Sequence, residues 1–181
     1  TIKQLVGIII NSNGKMDEAV IAEIITLLGK LAGNEKVDPD TVLKILNALT
    51  KGGNSGGNTP NPDAPAGGSV RSALDALTDD QRDYISGLID VYLTTDFDNN
   101  EYLDKNGEAA YNPAKVTALI NAISRMDYAD IQKVLDELHS SKNAKGEDIT
   151  PALTDEAYGV LTAEVVRQEE VSKNNAATAG P

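Results

Sequence analysis

The chain has 181 residues, no cysteine and a single histidine, His139. These counts exclude a disulfide framework, a thiolate zinc site, a cysteine nucleophile and a metal centre built from several histidines. The 16 basic and 28 acidic residues give a formal net charge of −12, which disfavours binding to a nucleic-acid backbone. No stretch is apolar over the roughly 18 residues that a transmembrane helix needs. We therefore expect no nucleic-acid partner and no membrane span.

The N-terminal part of the chain, residues 1–50, is nearly neutral and strongly apolar. Its first segment, Ile2–Ile10, has a Val and Ile content compatible with a helix or a strand, and we favour a helix. Asp17–Ala32 and Val37–Leu49 then place aliphatic residues three and four positions apart, which predicts two amphipathic helices. So small a segment buries little core, so we expect it to act as an anchor or oligomerisation module. The candidate interface residues are Ile2, Leu5, Val6, Ile9 and Ile10.

The middle of the chain divides it in two. Residues 51–69 are rich in Gly, Asn and Pro and predict a flexible linker. Residues 70–172 follow as an acidic helical domain, and residues 173–181 are expected to form a disordered tail. Residues 70–181 hold 10 basic and 21 acidic side chains, a net charge of −11. The helices predicted in this part are Ala73–Leu93, Pro113–Ile123, Asp127–Leu138 and Asp155–Val171.

Two helix starts occur twice in the sequence. Asp38-Pro39 and Asn112-Pro113 each combine an N-cap residue with proline at the first helical position. Met16–Leu28 and Met126–Leu138 align in the same way, so two similar pairs of helices appear in swapped order. Such a likeness arises from a duplicated module, or from the sequence pattern that all capped amphipathic helices share. A capping box is also predicted at Thr78–Gln81.

Together these patterns predict an all-α protein. The expected architecture is two small helical segments, a helical hairpin and a four- to five-helix bundle-like domain. The Gly/Pro-rich linker would join the two segments.

The stretch between the first and second predicted helices of the acidic domain is the most suggestive of chemistry. When Asp96 is counted as position 1 of a loop, the candidate oxygen ligands occupy positions 1, 3, 5, 7 and 9. They are Asp96, Asp98, Asn100, Tyr102 through its carbonyl, and Asp104. Hard oxygen ligands at this spacing resemble the calcium loop of an EF-hand or a dockerin-type module. The loop departs from that pattern at Glu101, where glycine is usual, and at Gly107, where an acidic ligand is usual. A Ca²⁺ site over residues 96–108 is one interpretation, and a polar turn rich in Asp and Asn is the other.

Known catalytic motifs are missing from the sequence. It has no nucleophile elbow, no P-loop and no dinucleotide-binding fingerprint. His139 precedes Ser140 at the end of a predicted helix, where a basic side chain is ordinary. We expect a non-enzymatic protein without a cofactor, unless the acidic loop binds Ca²⁺.

The division between an apolar end and an acidic remainder favours a structural or interaction subunit of a larger assembly. Its partners would be other protein subunits or further copies of itself. Within that class we hypothesise a bacteriophage virion component, such as a capsid decoration, head-fibre or head–tail accessory protein. It would reach the virion after synthesis in the host cytoplasm, and otherwise be cytoplasmic. The alternatives are a calcium-dependent helical binding module and an enzyme of unrecognised type.

Overall fold

A computed structural model of the chain describes residues 2–12, 16–51, 69–123 and 126–179. These residues form an all-α structure without strands, which confirms the predicted fold class. The helices are α1 (Ile2–Ser12), α2 (Glu18–Leu31), α3 (Pro39–Lys51), α4 (Val70–Asp75), α5 (Asp79–Leu93), α6 (Pro113–Ala122), α7 (Tyr128–His139) and α8 (Asp155–Ala179). No helix within the described ranges is long and apolar enough to cross a membrane. Most of the predicted linker, residues 52–68, lies outside these ranges.

Two helix boundaries differ from the sequence prediction. The single helix expected over Ala73–Leu93 is two helices, because the predicted capping box starts a new helix at this point. The Thr78 hydroxyl accepts a hydrogen bond from the Gln81 backbone N–H, and the Gln81 side chain accepts one from the Thr78 N–H. The second difference is at the C-terminus, where the expected disordered tail over 173–181 is helical as far as Ala179.

The repeated helix starts have the same local geometry as well as the same sequence. In each pair, an Asp or Asn side-chain oxygen accepts a hydrogen bond from a backbone N–H in the first helical turn. The accepting and donating residues are Asp38 and Asp40 for α3, Asn112 and Ala114 for α6, Asp17 and Val20 for α2, and Asp127 and Asp130 for α7. The two N-caps predicted from the sequence, Asp38 and Asn112, are therefore present, and Asp17 and Asp127 cap the other matching pair of helices.

The helices on either side of the linker share one hydrophobic core. Helix α2 packs on α4 and α5, and α3 packs on α5 and α6. The first three helices therefore do not form a separate hairpin. Helix α1 lies on both α2 and α3, while α8 lies on both α7 and α6. At each end of the chain, the terminal helix thus packs on the two helices nearest to it in sequence. The similar helices α3 and α6 also contact each other.

Three short hairpin turns connect the later helices. Their paired residues are Thr95 with Glu101, Leu103 with Ala109, and Lys142 with Asp148. In each turn the first residue is Asp or Asn, and its side-chain oxygen accepts hydrogen bonds from the backbone N–H groups two and four positions later. The fourth residue has a positive φ, which is 66° at Asn99, 77° at Gly107 and 80° at Gly146. These are the residue types that adopt this conformation with least strain.

The glycines of the hairpins and of the helices should respond oppositely to alanine. Gly146→Ala should lower the free energy of unfolding by about 1 kcal/mol, because a Cβ strains a backbone with positive φ. Gly87→Ala is the matched control, since Gly87 lies inside α5 and a Cβ there meets no atom within 4 Å. It should raise the free energy of unfolding by about 1 kcal/mol. Urea denaturation measures both, and an unchanged stability in Gly146→Ala would contradict the turn geometry.

Candidate functional site

The residues predicted to bind calcium lie in two successive hairpins rather than in one loop around an ion. The carboxylate of Asp96 accepts hydrogen bonds from the backbone N–H groups of Asp98 and Asn100, both at 2.9 Å. Asp104 has the corresponding role in the second hairpin. The Tyr102 carbonyl, the fourth predicted ligand, accepts a backbone hydrogen bond from Ala110.

These carboxylates therefore stabilise the turns of their own loops. In the part of the chain that the structure describes, no group of three or more Asp, Glu and His side chains is placed to hold a metal ion. The geometry favours the polar-turn interpretation of this segment. A Ca²⁺ site over residues 96–108 stays a prediction that a titration decides.

The structure instead reveals a buried cation beside the first hairpin. Lys115, in the first turn of α6, is fully buried. Its ammonium donates hydrogen bonds to Asn47 Oδ1 at 2.5 Å and to the Tyr92 carbonyl at 3.1 Å. It also lies 4.1 Å from the centre of the Tyr92 ring and 5.1 Å from that of Phe97. Hydrogen bonds and aromatic faces thus replace the water that the ammonium loses on burial.

Asn47 joins this buried cation to the N-terminal helices. It lies on α3, and its amide nitrogen donates to Asn99 Oδ1 at 2.7 Å and to the Phe97 carbonyl at 3.3 Å. Its amide oxygen accepts from Lys115, so one side chain connects α3, the first hairpin and α6. Burial lowers the pKa of Lys115 from 10.5 to about 8, and the Asp96 carboxylate opposes this shift.

A second contact between the two parts of the chain lies close to this network. The Tyr92 hydroxyl on α5 donates to Thr50 Oγ1 on α3 at 2.6 Å. Burial raises the pKa of Tyr92 to about 12, while the hydrogen bond with Thr50 opposes that rise. The tyrosine therefore stays protonated at neutral pH and acts as a donor. The arrangement positions helices and does not expose a reactive group.

Lys115 was not predicted from the sequence, and neither was a second buried cation, Arg82. The guanidinium of Arg82 donates to the backbone carbonyls of Leu74, Leu77 and Thr150 and pairs with Asp79. The sequence carries a usable signal for both cations, because each occupies a position on the apolar stripe of its helix. Lys115 precedes Leu119 by four residues, and Arg82 precedes Ile85 by three. A charged residue on such a stripe indicates a buried, hydrogen-bonded group.

His139 has a structural environment that the sequence predicted only in part. It is the last residue of α7, as expected, and its Nε2 lies 2.6 Å from an Asp155 carboxylate oxygen. Its ring stacks on Tyr158 with the ring centres 4.1 Å apart. The side chain thus connects the end of α7 to the start of α8.

The predicted interface on α1 divides into two faces. Leu5 and Ile8 are buried at 2 % and 9 % exposure and belong to the hydrophobic core of the chain. Val6 and Ile10 are 40 % and 73 % exposed, while Ile2 and Ile9 are half-buried at the edge of the core. Leu5 is therefore a core residue, and the outward apolar face of α1 consists of Val6 and Ile10 with Ile2 and Ile9 beside them.

Stability should depend on pH through Lys115. In the unfolded chain this lysine keeps its proton up to about pH 10.5, whereas in the folded chain it loses the proton near pH 8. Because the unfolded state then binds more protons, the free energy of unfolding should rise with pH across this interval. Relative to Lys115→Met, the wild type should gain up to about 3 kcal/mol between pH 7 and 10.5. Urea denaturation at several pH values measures this difference, and a difference that does not change with pH would contradict the buried ammonium.

Calcium should leave the stability of the chain unchanged. Asp96 and Asp104 lie in separate turns, where the Oδ1 atom of each accepts two backbone hydrogen bonds. Within the described residues, no group of three or more acidic or histidine side chains is placed to hold an ion. Thermal denaturation with millimolar CaCl₂, against the same buffer with a chelator, tests this expectation. A rise in the melting temperature that Asp96→Asn and Asp104→Asn abolish would restore the calcium interpretation.

No family model matches this chain, and no curated protein and no solved structure matches it either. Its function is therefore inferred from its own side chains. The two most informative features are the outward apolar face of α1 and the apolar interior behind it.

Proposed function

We propose that this chain is a non-enzymatic structural or interaction subunit of a larger assembly, and that α1 contacts a neighbouring subunit. The outward face of α1 carries the proposal. Ile10 is 73 % exposed and Val6, one helical turn earlier, is 40 % exposed. A helix with apolar residues on both its inner and its outer face is typical of a helix covered on both sides.

Contact with water is unfavourable for this apolar face. Burying apolar surface stabilises a complex by about 25 cal/mol for each Å² removed from water. Aliphatic side chains one turn apart on a helix present that surface as one strip, so a partner covers them together. The partner is an apolar surface of another subunit or of a second copy of this chain.

The charge distribution supports an orientation for such a subunit. Residues 1–50 carry a net charge of −1, whereas residues 70–181 carry −11. The acidic surface therefore suits contact with water or with a basic partner. The nearly neutral α1 end suits burial in an interface.

The setting that we propose is a bacteriophage virion, in which the chain would serve as a capsid decoration, head-fibre or head–tail accessory protein. An apolar attachment helix on an acidic helical body is compatible with this role. Mass spectrometry of purified particles from the source of the gene tests the setting. Capsid and portal genes beside this gene would support it, and metabolic genes would oppose it.

The assembly role predicts a mass that depends on α1. Purified chain should show a solution mass above the 19.1 kDa of one chain, either alone or with a partner that purifies with it. The double variant Val6→Asp/Ile10→Asp should return to the mass of one chain, because each carboxylate would be desolvated in the interface. Light scattering after size-exclusion chromatography measures the mass.

Val91→Asp is the matched control for this experiment. Val91 is 44 % exposed on α5, so its substitution places one carboxylate away from α1 at an exposure close to the 40 % of Val6. It should leave the mass of the assembly unchanged, and circular dichroism should show folded helices in every variant. A wild-type chain that is strictly monomeric and has no partner would contradict the assembly role.

A further inference from the structure

The centre of the molecule contains an apolar cavity of about 100 Å³. Side chains of the similar helices α2 and α7, one from each part of the chain, both line it. Helix α2 contributes Ile24, Ile25 and Leu28, and α7 contributes their counterparts in the aligned sequences, Val134, Leu135 and Leu138. The aliphatic side chains of these two helices, which have nearly the same sequence pattern, thus leave a space between them unfilled.

The chemistry of the lining disfavours water. Apart from Thr50 and Tyr92, the side chains that line the cavity are aliphatic or methionine. The Tyr92 hydroxyl hydrogen is used in the bond to Thr50 Oγ1 at 2.6 Å, and the Thr50 hydroxyl donates to the Leu46 carbonyl at 3.0 Å. A buried water needs two to four polar partners, and cavities without them stay dry. Neither hydroxyl offers a free donor to such a water.

The volume of the cavity limits the size of the molecule that it can hold. An engineered apolar cavity of about 150 Å³ in another protein stays dry and binds benzene or xenon. The present cavity is smaller, at about 100 Å³, and its lining is of the same chemical kind. A compact molecule without hydrogen-bonding groups would restore the dispersion contacts that the lining side chains lack.

We propose that this central cavity is a binding site for small apolar molecules of benzene size or smaller, without hydrogen-bonding groups. The site is separate from the outward face of α1 and does not depend on the assembly role. Leu49, Tyr92 and Leu135 are 2–3 % exposed, so a guest beside them is shielded from water. Binding therefore stabilises the folded state, in which the site exists.

Xenon is the first probe, used on the wild-type chain so that no variant has to fold. Under increasing xenon pressure, the NMR signals of lining methyl groups, such as those of Ile24, Leu49 and Leu135, should shift and reach saturation. The exposed methyl groups of Val6 and Ile10 serve as internal controls and should shift little and without saturation. Equal, unsaturated shifts at both sets of methyl groups would overturn the proposal.

Benzene and phenol then test the chemistry of the site. Both have the same ring, but the phenol hydroxyl would lose its hydrogen bonds to water on entering the cavity. Benzene should therefore raise the melting temperature, and phenol should bind about tenfold or more weakly. Equal effects of the two compounds would contradict an apolar, dry site.

A substitution that fills the cavity with a larger side chain should prevent the guest from binding. Leu49→Phe places extra carbon atoms into the space and should abolish the xenon-induced shifts at Ile24 and Leu135. If overpacking unfolds that variant, Leu49→Ala is the alternative, since a larger cavity should bind benzene more tightly than the wild type does. Guest binding that neither variant alters would place the guest elsewhere and overturn the assignment.

Discussion

The rest of the structure depends on how one buried ammonium is satisfied. Lys115 has no access to water, so its charge requires partners from the protein. Those partners come from the N-terminal helix α3 through Asn47 and from the end of α5 through the Tyr92 carbonyl. Separating the two parts of the chain would break this network and leave the ammonium to be hydrated again. The buried charge thus specifies how the helices before the linker sit on those after it, while aliphatic packing supplies most of the stabilisation.

The local features of this fold were predictable because they depend on neighbours in sequence. An Asp or Asn directly before a helix caps its first turn through a local hydrogen bond, which is why Asp38 and Asn112 could be assigned from the sequence. The capping box at Thr78 was also recognised. The break that it causes between α4 and α5 was missed, because the apolar period continues across it.

The tertiary features were not predictable in the same way. The acidic segment was interpreted as a possible ion loop because ligand spacing alone does not show where each carboxylate points. The structure turns Asp96 and Asp104 towards the backbone of their own hairpins. Likewise, the linker suggested two separate domains, but a composition that is flexible locally says nothing about whether the flanking helices pack together. Lys115 stood on an apolar stripe, and its partner Asn47 is 68 residues away.

The hairpins have a consequence for how the molecule behaves at high concentration. Each pairs a single residue with a single residue, and the described part of the chain has no extended strand beside them. A longer strand would expose a row of unpaired N–H and C=O groups, which other chains can use as a template for edge-to-edge aggregation. In each of these turns, an Asp or Asn side chain accepts hydrogen bonds from two backbone N–H groups of the loop. These connections therefore reverse the chain direction without offering an open edge, which keeps self-association confined to surfaces formed by side chains.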